Sequence, residues 1–326
     1  MRHDPGFDVE LRPEEIAALL GRKDAGLHPS PATDTQQGRI LVTGAGGSIG
    51  VPLVRHLASL GRRVVALDRS EAGLFLLGLK LREDGVTNNV HVVLRDVADS
   101  SVRDLIAREK IDLVVHAAAH KHVGLTETEA DEAFFNNVEK TRRILGMAAD
   151  AAAGGFLLIS TDKAVDPVSV MGRSKAAAEA AVMDFGDERL LRRVLRLPNV
   201  LGTAGSAAQV FRRALLRGDE LLLRDVRAER LYLGPGEALR CLLTALDWHG
   251  TGRLIPSEPP AISTMELARR AHALWSPGTE FRWRDVGLGP GERLRERLVG
   301  EDESCIEGPQ GLRQLEKVPC AETRKI

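Results

Sequence analysis

The chain of 326 residues is 43% hydrophobic, which is enough apolar surface for one large α/β domain or two smaller ones. Its 45 Lys and Arg residues nearly balance its 46 Asp and Glu residues, so the overall charge argues against nucleic acid or an anionic membrane surface as a partner. No stretch reaches ~18 apolar residues without a charge, so we expect a soluble protein without a membrane-spanning segment.

The three cysteines are Cys241, Cys305 and Cys320. Their spacing matches neither a disulfide framework nor a metal site, and their odd number leaves one thiol over. Such cysteine usage suits a reducing compartment. The sequence therefore predicts a cytoplasmic protein.

The sequence predicts that residues 1–38 form a lead-in, meaning a segment that precedes the main domain. This segment has a short helical pattern at Pro13–Leu20, followed by a linker rich in Pro, Gly, Ser and Thr. Short apolar runs then alternate with helix-length stretches at 49–60, 101–108, 131–150 and 172–185. The apolar runs are RILVTG, RRVVALD, VHVVLRDV, IDLVVHAAA, GGFLLIST and RRVLRLPNV. Runs of this kind are typical of buried parallel strands in βαβ units. The sequence therefore predicts a Rossmann-like, doubly wound parallel sheet over residues 39–200.

The regular alternation fades after residue 200, where the chain has a short strand pattern, ELLLRD, and two helical patterns, EALRCLLTALDWH and STMELARRAHALW. We expect residues 201–326 to form mainly a smaller lobe. In open α/β sheets the ligand lies beyond the carboxyl ends of the strands, so this lobe is expected to bind the substrate there.

A glycine-rich turn in ILVTGAGGSIGVPLVRHL places Gly44, Gly47 and Gly50 between the first strand and the first helix. Glycine is needed where the chain turns tightly and where backbone approaches a pyrophosphate, and the helix N-terminus offers N–H donors to phosphate. Because this turn stands in the strand-to-helix context that the motif requires, it predicts a dinucleotide site.

Two strand-end residues bear on which dinucleotide binds. Asp68 ends the second strand, where a carboxylate accepts from the adenosine ribose and favours NAD, although the adjacent Arg69 could pair with the 2′-phosphate of NADP. Asp96, followed by Val97, ends the third run and either accepts from the adenine amino group or caps its loop. We expect NAD, with NADP possible.

The HKH sequence at residues 120–122 offers two histidines as metal ligands. Side chains of successive residues diverge, and no third ligand stands at a useful spacing. We therefore expect no bound metal, and we expect His120 and His122 to pack or to form hydrogen bonds.

Longer motifs connect the chain with a known family. The strings VVHAAAHKHV, FFNNVEKT, LLISTDKAV, VMGRSK, PNVLGT and GPGERL resemble extended short-chain dehydrogenases, and more narrowly the polysaccharide-biosynthesis branch that contains UDP-N-acetylglucosamine 4,6-dehydratases. The resemblance covers about residues 39 to 300. LRPEEIAALLGR also resembles the segment before the catalytic domain, which in many relatives follows a membrane region that we expect this protein to lack.

The resemblance implies a nucleotide-sugar dehydratase in which NAD(P) takes hydride from C4 of the sugar and returns it to C6. Asp162 is expected to protonate the departing C6 hydroxyl. Lys163 is expected to remove the C5 proton, with its pKa lowered by burial and by nearby Lys175. Lys175 should also bond the nicotinamide ribose. Met171 stands four residues before Lys175, where some branches carry a catalytic Tyr.

Met171 cannot transfer a proton, so the C4 hydroxyl needs another base. Thr161 acting as a relay, Asp162 acting twice, and an ordered water all stay open at the level of sequence. Met171 itself is expected to pack over the sugar or the nicotinamide ring.

The resemblance also implies further binding residues. The additional cofactor contacts are Ser48, Ile49, Val97, Ala117, Ala118 and Ala119. The nucleotide-sugar contacts are Lys121, Asn137, Ser160, Asn199, Arg230 and Glu292. For Asn137 a purely structural hydrogen bond is an equal alternative. Gly289 and Arg295 depart from the Arg and Tyr usual in the family, which leaves the exact nucleotide sugar open. The family suggests a homo-oligomer.

Two other functions compete with dehydration. A nucleotide-sugar epimerase needs the same oxidation at C4 but no acid at C6, so the pair of Asp162 and Lys163 favours the dehydratase. A catalytically silent dinucleotide sensor or scaffold is suggested only by Met171, and the presence of Asp162, Lys163 and Lys175 together argues against it.

Overall fold

The computed structural model describes residues 10–24, 38–257 and 259–318. These residues divide into two compact units. The sheet unit contains residues 38–197, 241–257 and 297–318 of the described chain. The small unit contains residues 10–24, 198–240 and 259–296.

The strands follow the predicted apolar runs and continue beyond them. In chain order they are β1 (Arg39–Thr43), β2 (Val64–Asp68), β3 (Val90–Leu94), β4 (Ile111–His116), β5 (Gly155–Thr161), β6 (Leu191–Leu197), β7 (Asn199–Val200), β8 (Leu221–Leu223), β9 (Glu229–Leu233), β10 (Gly252–Pro256), β11 (Ala261–Ser263), β12 (Trp283–Asp285), β13 (Glu303–Glu307) and β14 (Leu312–Lys317).

The helices lie between these strands. They are α1 (Pro13–Leu20), α2 (Gly50–Ser59), α3 (Glu71–Glu83), α4 (Ser101–Glu109), α5 (Val123–Thr128), α6 (Ala130–Phe134), α7 (Lys140–Asp150), α8 (Val170–Met183), α9 (Ala207–Arg217), α10 (Pro235–Asp247) and α11 (Thr264–Trp275). The helix expected over residues 131–150 is interrupted by a π-helical turn at Phe135–Glu139. None of the helices in the described residues is both long and apolar enough to span a membrane.

The sheet unit is built on one large sheet with the strand order β13-β14-β10-β6-β5-β4-β1-β2-β3. The strands from β10 to β3 pair in parallel, and the β13–β14 hairpin adds antiparallel strands at one edge. Both faces of β1 and β5 are buried, which explains their near-continuous apolar sequences. The prediction of a Rossmann-like, doubly wound sheet is confirmed.

The strand order reverses between β1 and β4, which lie side by side. In open α/β sheets the ligand crevice opens at the carboxyl ends of the two strands that flank such a reversal. The glycine-rich turn follows β1, and the Ala117–Ala119 segment follows β4. The topology therefore brings two predicted cofactor segments to the same place.

The division into units differs from the boundary predicted near residue 200. Residues 241–257 and 297–318 return to the sheet unit, because β10 pairs with β6 and β14 pairs with β10. Register is set by these pairings between distant parts of the chain. The short apolar pattern of β10 gave no local sign of which neighbour it would join.

The small unit contains its own apolar core. In it Ile16 and Leu19 of α1 cluster with Phe211 of α9 and Leu267 of α11, among other residues. The Asp24 carboxylate accepts hydrogen bonds from the backbone N–H groups of Gly236 and Glu237 at the start of α10. The helix predicted at Pro13–Leu20 is present, and it is part of a folded core as well as a lead-in.

Candidate active site

The glycine-rich turn between β1 and α2 is closely packed against backbone. Gly44 has a φ of +69°, and a Cβ there would lie 2.7 Å from the backbone nitrogen of Ala118. A Cβ on Gly50 would overlap the carbonyl oxygen of Gly44. The turn therefore requires these glycines, and it presents the N-terminus of α2 at the carboxyl edge of the sheet. This cradle fits the pyrophosphate of a dinucleotide.

A second close approach joins the glycine-rich turn to α3. A Cβ on Gly46 would lie 2.7 Å from the carbonyl carbon of Gly73. Asp68 accepts from the backbone N–H of Gly46 and from that of Ser70, both over 2.9 Å. Sequence reasoning missed Gly46 and Gly73, although the extra glycine in GAGGSIG was the available signal. Asp68 thus supports the turn as well as standing at the predicted ribose position.

Asp96 lies in a polar cluster beyond β3. Its carboxylate accepts from Lys140 Nζ over 2.6 Å and from the backbone N–H of Ala98 over 2.9 Å. Burial acts to raise the pKa of Asp96, but the hydrogen bonds from Lys140 and Ala98 and the charges of Lys140 and Arg69 together outweigh it, so the pKa is lowered. Arg69 Nη1 is 3.9 Å from the same carboxylate, and Arg69 Nη2 is 3.3 Å from His120 Nε2. Lys140 is a member of this cluster that sequence reasoning missed.

His116, at the end of β4, is buried and bonded on both ring nitrogens. Nδ1 is 2.7 Å from Thr43 Oγ1, and Nε2 is 3.0 Å from Thr141 Oγ1. Thr141 donates its own proton to the carbonyl of Asn137, so it accepts from His116 Nε2, and Thr43 donates to Nδ1. Burial and the charge of Lys175 lower the pKa of His116 to about 3. His116 is therefore a neutral link between β1, β4 and α7, a role that the sequence did not reveal.

Asn137 lies in the π-helical turn and is 1% exposed. Its side chain accepts from the backbone N–H of His120, and its amide group donates to the carbonyl of His120 and to Ser174 Oγ. Ser174 donates in turn to the carbonyl of Met171. These contacts tie the loop after β4 to α8 and favour the structural alternative for Asn137; a contact with substrate stays a prediction.

Thr161, Asp162 and Lys163, here termed the catalytic turn, stand at the carboxyl end of β5. Thr161 Oγ1 donates to Asp162 Oδ1 over 2.8 Å, and Lys163 Nζ donates to the same oxygen over 3.0 Å. Asp162 is 1% exposed, whereas the Lys163 side chain is 24% exposed. The structure thus brings a hydroxyl, a carboxylate and an amine into one hydrogen-bonded group.

Helix α8 packs its first turn directly onto the catalytic turn. Ser169 caps the helix by accepting from the backbone N–H of Gly172 over 2.9 Å. A Cβ on Gly172 would overlap the carbonyl oxygen of Lys163, so only glycine permits this approach. Met171, in the same turn, is 3% exposed. Gly172 is a further residue that sequence reasoning missed.

Lys175 lies one turn further along α8 and is buried. Its Nζ donates to the carbonyl of Ile159 over 2.7 Å. Burial lowers the pKa of Lys175 to about 8, against the opposing charge of Glu179. Ser160, also predicted to bind substrate, donates to Glu179 Oε1 over 2.6 Å, while Lys121 is exposed.

The substrate residues predicted in the small unit meet at a carboxylate that the sequence did not single out. Asn199 Nδ2 donates to Glu296 Oε2 over 3.0 Å, and Arg230 Nε lies 3.4 Å from Glu296 Oε1. Glu292 accepts from the backbone N–H of Gly289 over 2.7 Å. Glu296 therefore orients Asn199 and Arg230, while Glu292 stabilises its own turn.

The histidines of the HKH sequence have polar neighbours rather than a ligand set. His120 Nε2 is 3.1 Å from Glu132 Oε1, and His122 is exposed. Across residues 10–24, 38–257 and 259–318, no group of three or more His, Cys, Asp or Glu side chains is arranged to hold a metal ion.

Comparison with known proteins places this geometry in a family. The family model described as "Polysaccharide biosynthesis protein" matches residues 40–311. The "Probable polysaccharide biosynthesis protein EpsC" of Bacillus subtilis is 31% identical over 306 residues, which are 90% of this chain and 50% of EpsC. The chain thus spans half the length of that relative.

Other relatives carry names of specific enzymes. The "UDP-N-acetylglucosamine 4,6-dehydratase (inverting)" of Campylobacter jejuni is 27% identical, covering 82% of this chain and 79% of that protein. A "UDP-glucose 4-epimerase" of Rickettsia rickettsii is 28% identical, covering 81% of this chain and 78% of that protein.

A solved structure confirms the fold. The structure of DesIV, a dTDP-glucose 4,6-dehydratase from Streptomyces venezuelae with NAD and TYD bound, superimposes with a TM-score of 0.69 at 25% identity. The match covers 80% of this chain and 88% of DesIV. The family model, the relatives and the parallel sheet agree with the motifs that run from the glycine-rich turn to α8. The chain belongs to the polysaccharide biosynthesis protein family, within the extended short-chain dehydrogenases.

Proposed function

We propose that the protein is an NAD(P)-dependent nucleotide-sugar 4,6-dehydratase, a lyase that converts UDP-N-acetylglucosamine or a close relative to a 4-keto-6-deoxy sugar. The observation that carries the proposal is the hydrogen-bonded group of Thr161, Asp162 and Lys163 at the carboxyl end of β5. The Campylobacter relative named as a dehydratase supports the same reaction and the same class of sugar.

The cofactor is a nicotinamide dinucleotide. The glycines of the turn carry no Cβ, and side chains at these positions would fill the space that the cofactor needs. A nicotinamide ring bound there would supply a reversible hydride acceptor between C4 and C6 of the sugar, so that no external reductant would be needed. Asp68 favours NAD, because its carboxylate repels the 2′-phosphate of NADP. Gly44, Gly47 and Gly50 would hold its pyrophosphate at the start of α2.

The C4 hydroxyl loses its proton through Thr161. Met171 has no proton to exchange, whereas Thr161 Oγ1 already donates to Asp162 Oδ1 over 2.8 Å. A proton from the sugar hydroxyl passes to Thr161 as the Thr161 proton moves to Asp162. Of the alternatives left open by the sequence, this contact supports Thr161 as relay and Asp162 as terminal acceptor.

Elimination then uses both members of the Asp162 and Lys163 pair. The C4 ketone acidifies the neighbouring C5 hydrogen, and Lys163 in its amine form removes that proton. Asp162, protonated in the preceding step, gives its proton to the departing C6 hydroxyl, which leaves as water. Once C6 has received hydride, Lys163 returns its proton to C5. The proton taken from the C4 hydroxyl thus leaves in the water.

Lys175 supplies a positive charge beside these steps. Its pKa of about 8 leaves it mostly protonated at pH 7, so its ammonium would be able to donate to the ribose of a bound nicotinamide cofactor. Its bond to the carbonyl of Ile159 fixes the side chain between α8 and β5. In the small unit, Asn199, Arg230 and Glu292 are proposed to contact the nucleotide portion of the substrate.

An epimerase is the second candidate, supported by the Rickettsia relative with that name. Both reactions begin with oxidation at C4, but an epimerase returns hydride to C4 and needs no acid for C6. Asp162, the proposed acid, lies beside Lys163, the proposed base, and this pair favours dehydration.

The decisive experiment incubates the protein with UDP-N-acetylglucosamine and NAD or NADP and analyses the product by mass spectrometry. Loss of one water is expected. Unchanged mass with inverted C4 would establish an epimerase, and no change with several nucleotide sugars would refute both. Asp162→Asn and Lys163→Met should each reduce turnover by at least about 10²-fold, because each removes a positioned acid or base.

The matched control is Asp187→Asn, which removes a half-buried carboxylate paired with exposed Arg189 in the same unit. It should turn over like the wild type. Binding of the reduced cofactor, measured by its nicotinamide fluorescence, should persist in all three variants. Full turnover by Asp162→Asn would rule out the assigned acid.

A further inference from the structure

A buried group of charged side chains, here termed the carboxylate network, adjoins the catalytic turn. It consists of Glu179 on α8, Arg196 on β6, Arg253 on β10 and Glu303 on β13. Ser160, the residue before the catalytic turn, donates to Glu179 Oε1 over 2.6 Å. None of these charged groups has a part in the dehydration steps.

Arg196 uses its whole guanidinium group within the network. Nε and Nη2 donate to Glu179 over 3.0 and 2.8 Å, and Nη1 and Nη2 donate to Glu303 over 2.6 and 2.8 Å. Nη1 also donates to the carbonyl of Leu298 over 3.0 Å. Its five N–H groups therefore all have acceptors, which gives a fixed planar geometry. With Arg253 3.3 Å from Glu179, the carboxylate and guanidinium charges balance.

Glu179 links two elements that carry proposed catalytic groups. Through Ser160 it holds the end of β5, from which the catalytic turn continues. It also stands four residues after Lys175 on α8, so the two side chains lie on the same face of that helix. A carboxylate fixed by Arg196 is thus fixed relative to both.

The C-terminal segment Arg297–Glu303 holds the same region at a second point. Arg297 Nη2 donates to Asp166 Oδ2 over 3.0 Å, in the loop between the catalytic turn and α8. Asp166 has a φ of +41° and precedes Pro167, a backbone conformation that is costly for a non-glycine residue. Glu303 anchors the carboxylate network from the other end of the segment.

We propose that Glu179 is a positioning residue, which holds the catalytic turn through Ser160 and is itself anchored by Arg196 and by Glu303 of the C-terminal hairpin. Its kinetic consequence rests on the proposed dehydratase function. The role itself is a property of the fold, because it concerns the placement of β5 and α8.

The test compares Glu179→Gln, Ser160→Ala and the double variant. Each single variant should lower kcat by roughly 10²-fold, because a small displacement of positioned groups is that costly, while KM changes by less than about twofold. The double variant should match the more damaged single, because both changes break one hydrogen-bonded unit. If Ser160 instead touches substrate, Ser160→Ala raises KM and adds to Glu179→Gln, which overturns the proposal.

The control is Glu109→Gln, which removes the partner of Arg39 at the opposite, amino end of the sheet. It should leave kcat unchanged whatever its effect on stability. Should Glu179→Gln fail to fold, Ser160→Ala and Glu303→Gln decide the question, since the first leaves every charge of the network in place.

Amide hydrogen exchange provides a readout that needs no substrate. Exchange of the amides in residues 160–163 should be faster in Glu179→Gln and Ser160→Ala than in the wild type and in Glu109→Gln. Unchanged exchange there refutes the positioning role. If the wild type converts no nucleotide sugar, the proposed function fails while the exchange data still decide this inference.

Discussion

At the scale of single residues, the side chains of the proposed site determine which groups can exchange protons. Met171 has no proton to exchange, so we propose that the hydroxyl of Thr161 and the carboxylate of Asp162, which are hydrogen-bonded to each other, move the C4 proton. Lys175 keeps a buried ammonium at neutral pH, although burial lowers its pKa to about 8. Burying that charge costs folding free energy. The proposed bond to the cofactor ribose gives a functional reason for the presence of the buried ammonium.

The buried, neutral state of His116 can be tested through the pH dependence of protein stability. Its pKa is lowered to about 3, below the ordinary value of about 6.5, so the stability it contributes is present above pH 6.5 and is lost as pH falls toward 3. Between pH 6.5 and 4 the wild type should lose about 3 kcal/mol more unfolding free energy than His116→Gln. Denaturant unfolding at pH 7 and pH 4 measures this difference. His249→Gln, which removes an exposed histidine, should behave like the wild type, and equal slopes for all three proteins would contradict the argument.

At the scale of elements, the contact between α8 and the catalytic turn depends on glycine. Ser169 begins the helix, and Gly172 allows it to approach the carbonyl of Lys163. On the other side, the π-helical turn places Asn137 against Ser174 of α8. Widened helical turns of this kind are frequent at functional sites, and this one explains why the predicted helix is interrupted.

Gly172→Ala should separate α8 from the catalytic turn. The added Cβ would overlap backbone, which cannot move as a side chain can, so kcat should fall by roughly 10²-fold. Steady-state kinetics and thermal unfolding check this outcome together. Gly146→Ala in α7, where a Cβ meets open space, should instead stabilise the fold by about 0.5–1 kcal/mol and leave kcat unchanged. Wild-type kinetics in Gly172→Ala would show that the close approach is dispensable.

At the scale of the molecule, the sheet unit holds both the cofactor cradle and the catalytic turn. The chain leaves this unit after β6 and returns twice, at β10 and at the β13–β14 hairpin. The returning strands supply Arg253 and Glu303 to the carboxylate network. The proposed catalytic geometry therefore depends on parts of the chain that lie far beyond the nucleotide-binding motif.

Cofactor binding should stabilise the folded protein as a whole. Free NAD at about 100 times its Kd is expected to raise the unfolding free energy by about 2.7 kcal/mol. NADP at the same concentration should do less, because of the charge on Asp68. Thermal unfolding with each dinucleotide measures both effects. Gly50→Ala should lose the shift, since its Cβ fills the cradle, whereas Gly146→Ala should keep it. A larger shift with NADP would reverse the predicted preference.

The sequence by itself determined the six parallel strands, the glycine-rich turn and the catalytic turn, because apolar runs, turn chemistry and adjacent residues are local properties of the chain. Only the tertiary structure decided the bonds of His116 to Thr43 and Thr141, the return of β10 and β14 to the sheet, and the carboxylate network. Arg196 and Glu303 are 107 residues apart in the chain, and no periodicity links them. Such pairs form because packing brings buried charges together and each must then find a partner.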